Sequence, residues 1–135
     1  MSTQKYAAKF EVLDEVREHV AEQARHAGFD ERAIYSVQLA ADEAASNIIE
    51  HAYAGRPDAS FELRCEYSHD QLIMTFMDQG KSFDITKVET PDITADLSAR
   101  KIGGLGIFLM HKLMDQVAYK VTSSGNFLTL IKQKE

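Results

Sequence analysis

Cysteine, proline, basic stripes and long apolar runs are what this chain has least of. Its one cysteine, Cys65, excludes a disulfide framework and a thiolate zinc site. No apolar run approaches the roughly 20 residues needed to span a bilayer. The polar start Met1-Ser2-Thr3-Gln4-Lys5 is unlike a signal peptide, so a soluble cytoplasmic protein with no membrane partner is expected. The 21 Asp+Glu against 15 Lys+Arg leave a formal charge of −6. That balance argues against direct nucleic-acid binding through bulk charge. Only two prolines, Pro57 and Pro91, punctuate the 135 residues, and no repeat or low-complexity tract is visible. What is present suffices for a core: 44% of the chain is hydrophobic, which rules out general disorder. The length suits a single domain over residues 1–135.

Periodicity orders the chain. Residues 4–12 alternate weakly, as a first strand does. Val16, Val20 and Ala24 fall at helical spacing between Leu13 and Ala27, with Gly28 as C-cap. Asp30 is an N-cap for a second helix running to about Tyr53. Strands over Ser60–Tyr67 and Gln71–Met77 are joined by Ser68-His69-Asp70. A polar segment from Asp78 to Gly103 follows, long enough in so small a domain to be functional or disordered. A third helix is expected from near Gly104 to about Gln116, then strands Val117–Thr122 and Phe127–Lys132 around Ser123-Ser124-Gly125-Asn126. The order β-α-α-β-β-α-β-β suggests a two-layer α/β sandwich.

Three clusters could carry chemistry. On the second helix Glu43 and Asn47 sit one turn apart, away from the apolar stripe Val37, Ala41, Ala44, Ile48 and Ala52. A carboxylate there can take a proton and an amide oxygen can ligate a hard cation such as Mg²⁺; a solvated helix face reads the same way. Asp78-Gln79-Gly80 follows the strand Ile73-Met74-Thr75-Phe76-Met77. An acid at a strand end can accept from a base's exocyclic amine, with Gly80 letting backbone approach a ring, although an ordinary turn has this form too. Gly103-Gly104-Leu105-Gly106 opens the third helix, where free N–H groups and the helix dipole favour phosphate. Arg100 and Lys101 lie just upstream. The spacing matches neither a Walker A motif nor G-x-G-x-x-G, and a hinge would also use these glycines.

Taken together and in this order, the clusters resemble the N, G1 and G2 boxes of the GHKL (Bergerat-fold) ATPases. The wording Glu43-Ala44-Ala45-Ser46-Asn47 with His51-Ala52-Tyr53, then Asp78-x-Gly80-x-x-Phe83-Asp84, then Gly104-Leu105-Gly106-Ile107-Phe108-Leu109-Met110 is similar to one branch. That branch is the bacterial anti-sigma factor serine/threonine-protein kinases. The likeness spans roughly residues 10–132. Ser82 stands where the superfamily's second glycine would be, in keeping with the branch.

The resemblance implies a Bergerat fold with a mixed sheet covered on one face by helices, and binding of ATP with Mg²⁺. It implies Glu43 as general base, Asn47 as Mg²⁺ ligand, Asp78 and Gly80 at adenine, and Gly104, Leu105 and Gly106 at the phosphates. A lid over about 85–103 would bring Arg100 or Lys101 to phosphate. Thr129 would support Asp78, or be a plain β-branched strand residue. The implied function is a serine kinase that phosphorylates a STAS-type anti-sigma factor antagonist and sequesters a sigma factor. The alternative is a non-catalytic ATP-binding partner switch. Pairing through the N-terminal strand and first helix into a homodimer is also implied. The five histidines show no metal-ligand spacing, and Cys65 reads as core packing.

Overall fold

The structure, a computed structural model, describes residues 1–54, 56, 58–82 and 104–134. Its elements run β1 (Ser2–Ala7), α1 (Leu13–His26), α2 (Glu31–Asn47), β2 (Ser60–Ser68), β3 (Gln71–Asp78), α3 (Gly104–Leu113), β4 (Gln116–Thr122) and β5 (Gly125–Gln133). The sheet order is β1-β2-β3-β5-β4. The two-layer α/β architecture is the expected one. The sheet, however, is antiparallel at every described pairing rather than mixed. The reason is topological. β4 runs in the direction of β3, as a helical crossover brings about, but β5 turns back between the two and separates them.

Local chemistry explains the boundaries. α1 ends in a Schellman arrangement: the Phe29 N–H reaches the Ala24 carbonyl at 3.0 Å and the Gly28 N–H reaches Arg25 at 3.0 Å, with Gly28 at φ +87°. Asp30 then caps α2 by accepting from the Ala33 N–H at 2.8 Å. The β2–β3 hairpin turns on His69 and Asp70, both at positive φ (53° and 61°), the backbone that matches the twist of the flanking strands.

Three expected boundaries move. The first strand stops at Ala7, and Phe10–Val12 form a 3-10 turn leading into α1. α3 ends at Leu113, because Gln116 is already paired with Ile131 in the sheet. α2 keeps α-helical bonding only to Asn47; Ile48–Ala52 make a π turn, closed by the Tyr53 N–H on the Ile48 carbonyl at 3.0 Å.

Alternation along the strands puts Phe61, Leu63, Cys65, Leu72, Met74, Phe76, Leu128 and Leu130 on one buried face. The helices cover that face with Val16, Val20 and Ala24 of α1, Val37, Ala41 and Ala44 of α2, and Ile107 and Met110 of α3. Cys65 belongs to this core. Burial pushes its thiol up to about 12, so it is protonated at neutral pH and unreactive. Asp78 is the last residue on the same buried face, where β3 leaves the sheet.

Candidate functional site

The site grows from the C-terminal end of α2. Glu43 and Asn47 are both half-buried and, four residues apart, stand about 6 Å apart along the helix axis. Burial, then the neighbouring Asp42 and Glu50 carboxylates, raise the Glu43 carboxyl above the ordinary Glu value. Asp42 is held by Arg17 of α1, which also pairs with Asp14. Asn47 has a buried Nδ2 with no hydrogen-bond partner among the described residues. An unsatisfied buried amide calls for an explanation, and a polar ligand reaching the end of α2 supplies one.

The π turn joins this helix to the loop after β3. It carries the Ala52 carbonyl to the Lys81 N–H at 2.7 Å. It also places the Tyr53 hydroxyl where it accepts from the Gln79 N–H at 2.8 Å and donates to the Ser60 carbonyl at 2.7 Å. π turns recur at functional sites because the extra residue redirects the chain. Here it fastens the Glu43–Asn47 helix to the Asp78–Ser82 segment. A Cβ on Gly80 would lie 2.3 Å from the Ala52 oxygen. The glycine therefore permits a close approach between two stretches of backbone.

Asp78 is 7% exposed. Its Oδ1 accepts from the Gly80 N–H at 2.9 Å and from Asn126 Nδ2 at 2.9 Å. Both described hydrogen bonds of the carboxylate fall on Oδ1, so among the described residues Oδ2 is the oxygen available to a ligand's donor. Asn126, 2% exposed, also donates to the Gly80 carbonyl at 3.0 Å and accepts from the Ser82 hydroxyl at 3.1 Å. One carboxamide thus ties the carboxylate, the glycine and the serine into a single unit.

Asn126 is the member of this cluster that sequence reasoning missed, having read it only as a turn residue. The signal was available in the hairpin register: a two-residue turn at Ser123-Ser124 starts β5 so that Asn126 faces Asp78. The same register moves Thr129 away. It pairs with Thr75, three positions from Asp78, so strand alternation directs it to the opposite face. The structure therefore does not bring Thr129 to Asp78, and Asn126 occupies the supporting place.

Gly104, Leu105 and Gly106 form the first turn of α3, and α3 packs against α2. The three glycine-box positions are thus at a helix N-terminus, as the phosphate reading requires. The lid expected over 85–103, with Arg100 and Lys101, lies outside the described residues.

These side chains fit adenine nucleotide and a hard cation. Asp78 offers an acceptor, the start of α3 is a helix N-terminus of the kind that suits an anion, and the Asn47 carboxamide pairs an unmet Nδ2 donor with an oxygen of the type that ligates a hard cation. Among the described residues no group of three His, Cys, Asp or Glu could hold a metal. A Mg²⁺ ion would accordingly take most of its ligands from phosphate and water, as it commonly does.

Comparison with known proteins agrees with this geometry. The histidine kinase-like ATPase domain matches over residues 6–132. The chain belongs to that family. Curated relatives of this histidine kinase-like ATPase domain include the serine-protein kinase RsbW of Halalkalibacterium halodurans, 34% identical over 131 residues, 93% of this chain and 78% of the relative. RsbW of Listeria monocytogenes is 35% identical over 98 residues, 70% of this chain, and the match spans only 62% of that relative's length. The serine/threonine-protein kinase BtrW of Bordetella bronchiseptica is 29% identical over 113 residues, covering 84% and 78% of the two chains.

Solved structures share the fold. The RsbU and RsbW domains of Rv1364c from Mycobacterium tuberculosis align with a TM-score of 0.66 at 16% identity, covering 99% of this chain and 33% of that one. The catalytic domain of the histidine kinase ThkA aligns at 0.59 with 13% identity, covering 99% and 97%. Among the described residues no helix is long and apolar enough to cross a membrane.

Proposed function

We propose that this domain is an ATP-dependent protein serine kinase that also acts as an anti-sigma factor. In this reading it phosphorylates a STAS-type antagonist and sequesters a sigma factor in the cytoplasm. The observation that carries the reading is the stitched site. Glu43 and Asn47 lie one turn apart on a helix whose end is hydrogen-bonded to the Asp78 loop.

Each residue has a distinct task. Asp78 Oδ2 accepts from the adenine amine while Asn126 holds Oδ1 in place. The α3 N-terminus receives the phosphate end, and the Asn47 carboxamide oxygen ligates Mg²⁺. Bound Mg²⁺ supplies charge neutralisation at the phosphate oxygens. Glu43 takes the proton from the partner's serine hydroxyl as that oxygen bonds to the transferred phosphorus and ADP departs. Its carboxyl, raised by burial and by the Asp42 and Glu50 carboxylates, makes it a better proton acceptor than an exposed glutamate.

Labelled ATP and the STAS proteins of the same organism test this directly. Glu43→Ala should abolish transfer, a loss of about 10²–10⁴-fold, while ATP affinity stays within a few fold, because a base acts on the transition state. Asn47→Ala should lose transfer together with the Mg²⁺ dependence of nucleotide binding. Transfer by Glu43→Ala at the wild-type rate removes Glu43 as the base. A wild type that binds ATP and a sigma factor yet phosphorylates no STAS protein is the non-catalytic switch instead.

A further inference from the structure

A second concave surface lies at the opposite end of α2. A cavity of about 480 Å³ opens between the α1–α2 turn, the first turns of α2, the end of α3 and the end of β5. Among the described residues Arg32, Lys112, Lys132 and Lys134 line it, with Asp30 the one carboxylate. That carboxylate is already engaged by the Ala33 N–H. A chain of net charge −6 has thus gathered four cations from three separate elements around one hollow. Arg32 and Glu43 are eleven residues apart on α2, about 16 Å along the axis, so this hollow is separate from the nucleotide site.

Two of the cations are fixed in place. Lys132 Nζ donates to the Leu113 carbonyl at 3.0 Å, closing the end of α3. Lys134 Nζ donates to the Ala27 carbonyl at 3.0 Å, closing the end of α1, and lies over the Tyr67 ring. Capping alone would account for these two lysines. It accounts for neither Arg32 nor Lys112, whose Nζ lies 5.9 Å from the centre of the Phe108 ring, and each capping ammonium keeps two further N–H groups. The first turn of α2 adds its dipole to the same hollow.

We propose that this cavity binds a small polyanion bearing phosphate groups. Its volume lies in the range of small-ligand pockets. Three lysines and an arginine line it, and ammonium and guanidinium groups both recognise tetrahedral phosphate. The lining comes from α2, α3 and the end of β5 around one hollow of about 480 Å³, a size that favours a compact ligand over an extended acidic segment. The proposal is independent of the kinase reading.

Inorganic tripolyphosphate titrated into the ¹⁵N-labelled chain without Mg²⁺, at fixed ionic strength, tests it. Saturable amide shifts are expected over residues 28–36 and 132–134. Arg32→Ala/Lys112→Ala, which removes the two exposed cations that cap nothing, should weaken binding about tenfold or more with an unchanged melting temperature. Lys112→Glu alone should weaken it in the same direction and serves if the double variant is unstable. Shifts confined to the Asp78 and Gly104 ends, unchanged affinity in these variants, or the same shifts with sodium chloride alone overturn the proposal. Tighter binding of hexaglutamate than of tripolyphosphate overturns it too, in favour of docking an acidic segment.

Discussion

At the scale of single residues, Glu43 joins a stability cost to its proposed role as base. Its carboxyl is raised by burial first and then by Asp42 and Glu50. A raised carboxyl binds its proton more tightly in the folded than in the unfolded chain. Its favourable contribution is therefore complete below the unfolded Glu value and lost as pH rises through the folded one. Glu43→Gln should accordingly melt higher than the wild type at pH 8, and the gap should close as the pH is lowered past the ordinary Glu range. Phosphoryl transfer should run the other way, since the base must be ionised. It should fall off on the acid side at a higher pH than an unperturbed glutamate would give. Identical melting curves for the two proteins across pH 4–8, or a transfer rate flat through that range, would remove the raised carboxyl assigned to Glu43. The place of Asp78 at the end of β3 was legible from sequence because its motif is contiguous with the strand. Asn126 was not, because its role depends on a partner 48 positions away that only the hairpin register supplies.

At the scale of elements, the decisive feature is the π turn at Ile48–Ala52. The 3.6-residue pattern carries on plausibly to Tyr53, since Ala44, Ile48 and Ala52 keep helical spacing, so nothing local announces the change of bonding. The turn is set by what it meets: the Ala52 carbonyl bonds to the Lys81 N–H, and the Tyr53 hydroxyl to Gln79 and Ser60. Phe10 and Val12 misled in a similar way. They alternate as strand residues do but begin the 3-10 turn. Gly80→Ala probes the junction between the π turn and the loop. Its Cβ would meet the Ala52 oxygen at 2.3 Å, backbone against backbone, so the turn or the loop must move. Destabilisation of about 1–3 kcal/mol is expected for such overpacking, read from the urea midpoint, with nucleotide affinity falling alongside. An unchanged midpoint would mean that the Ala52–Lys81 contact does not hold the two segments together.

At the scale of the whole molecule, the two-layer fold was legible because core burial follows periodicity. The helices' apolar stripes and the alternating strands left little choice of which faces to join. The antiparallel sheet was not legible, because where β5 is inserted depends on long-range pairing that no local pattern encodes. The same arrangement makes global stability a reporter of the site, since α2 and β3 end in it and β5 begins there. A nucleotide that binds only the folded chain adds RT ln(1 + [L]/Kd), about 2.7 kcal/mol at a hundredfold excess over Kd. ATP should therefore raise the melting temperature by an amount that grows with its concentration. GTP should do so far less. Asp78 Oδ2 can accept from adenine's amine, whereas guanine presents a carbonyl there, and an unmade buried contact costs about 1–3 kcal/mol. Asp78→Asn should remove most of the ATP-induced shift while keeping the circular dichroism of the folded chain. Equal shifts with ATP and GTP would take the base-reading role away from Asp78 and leave Asn126 as the holder of a structural carboxylate.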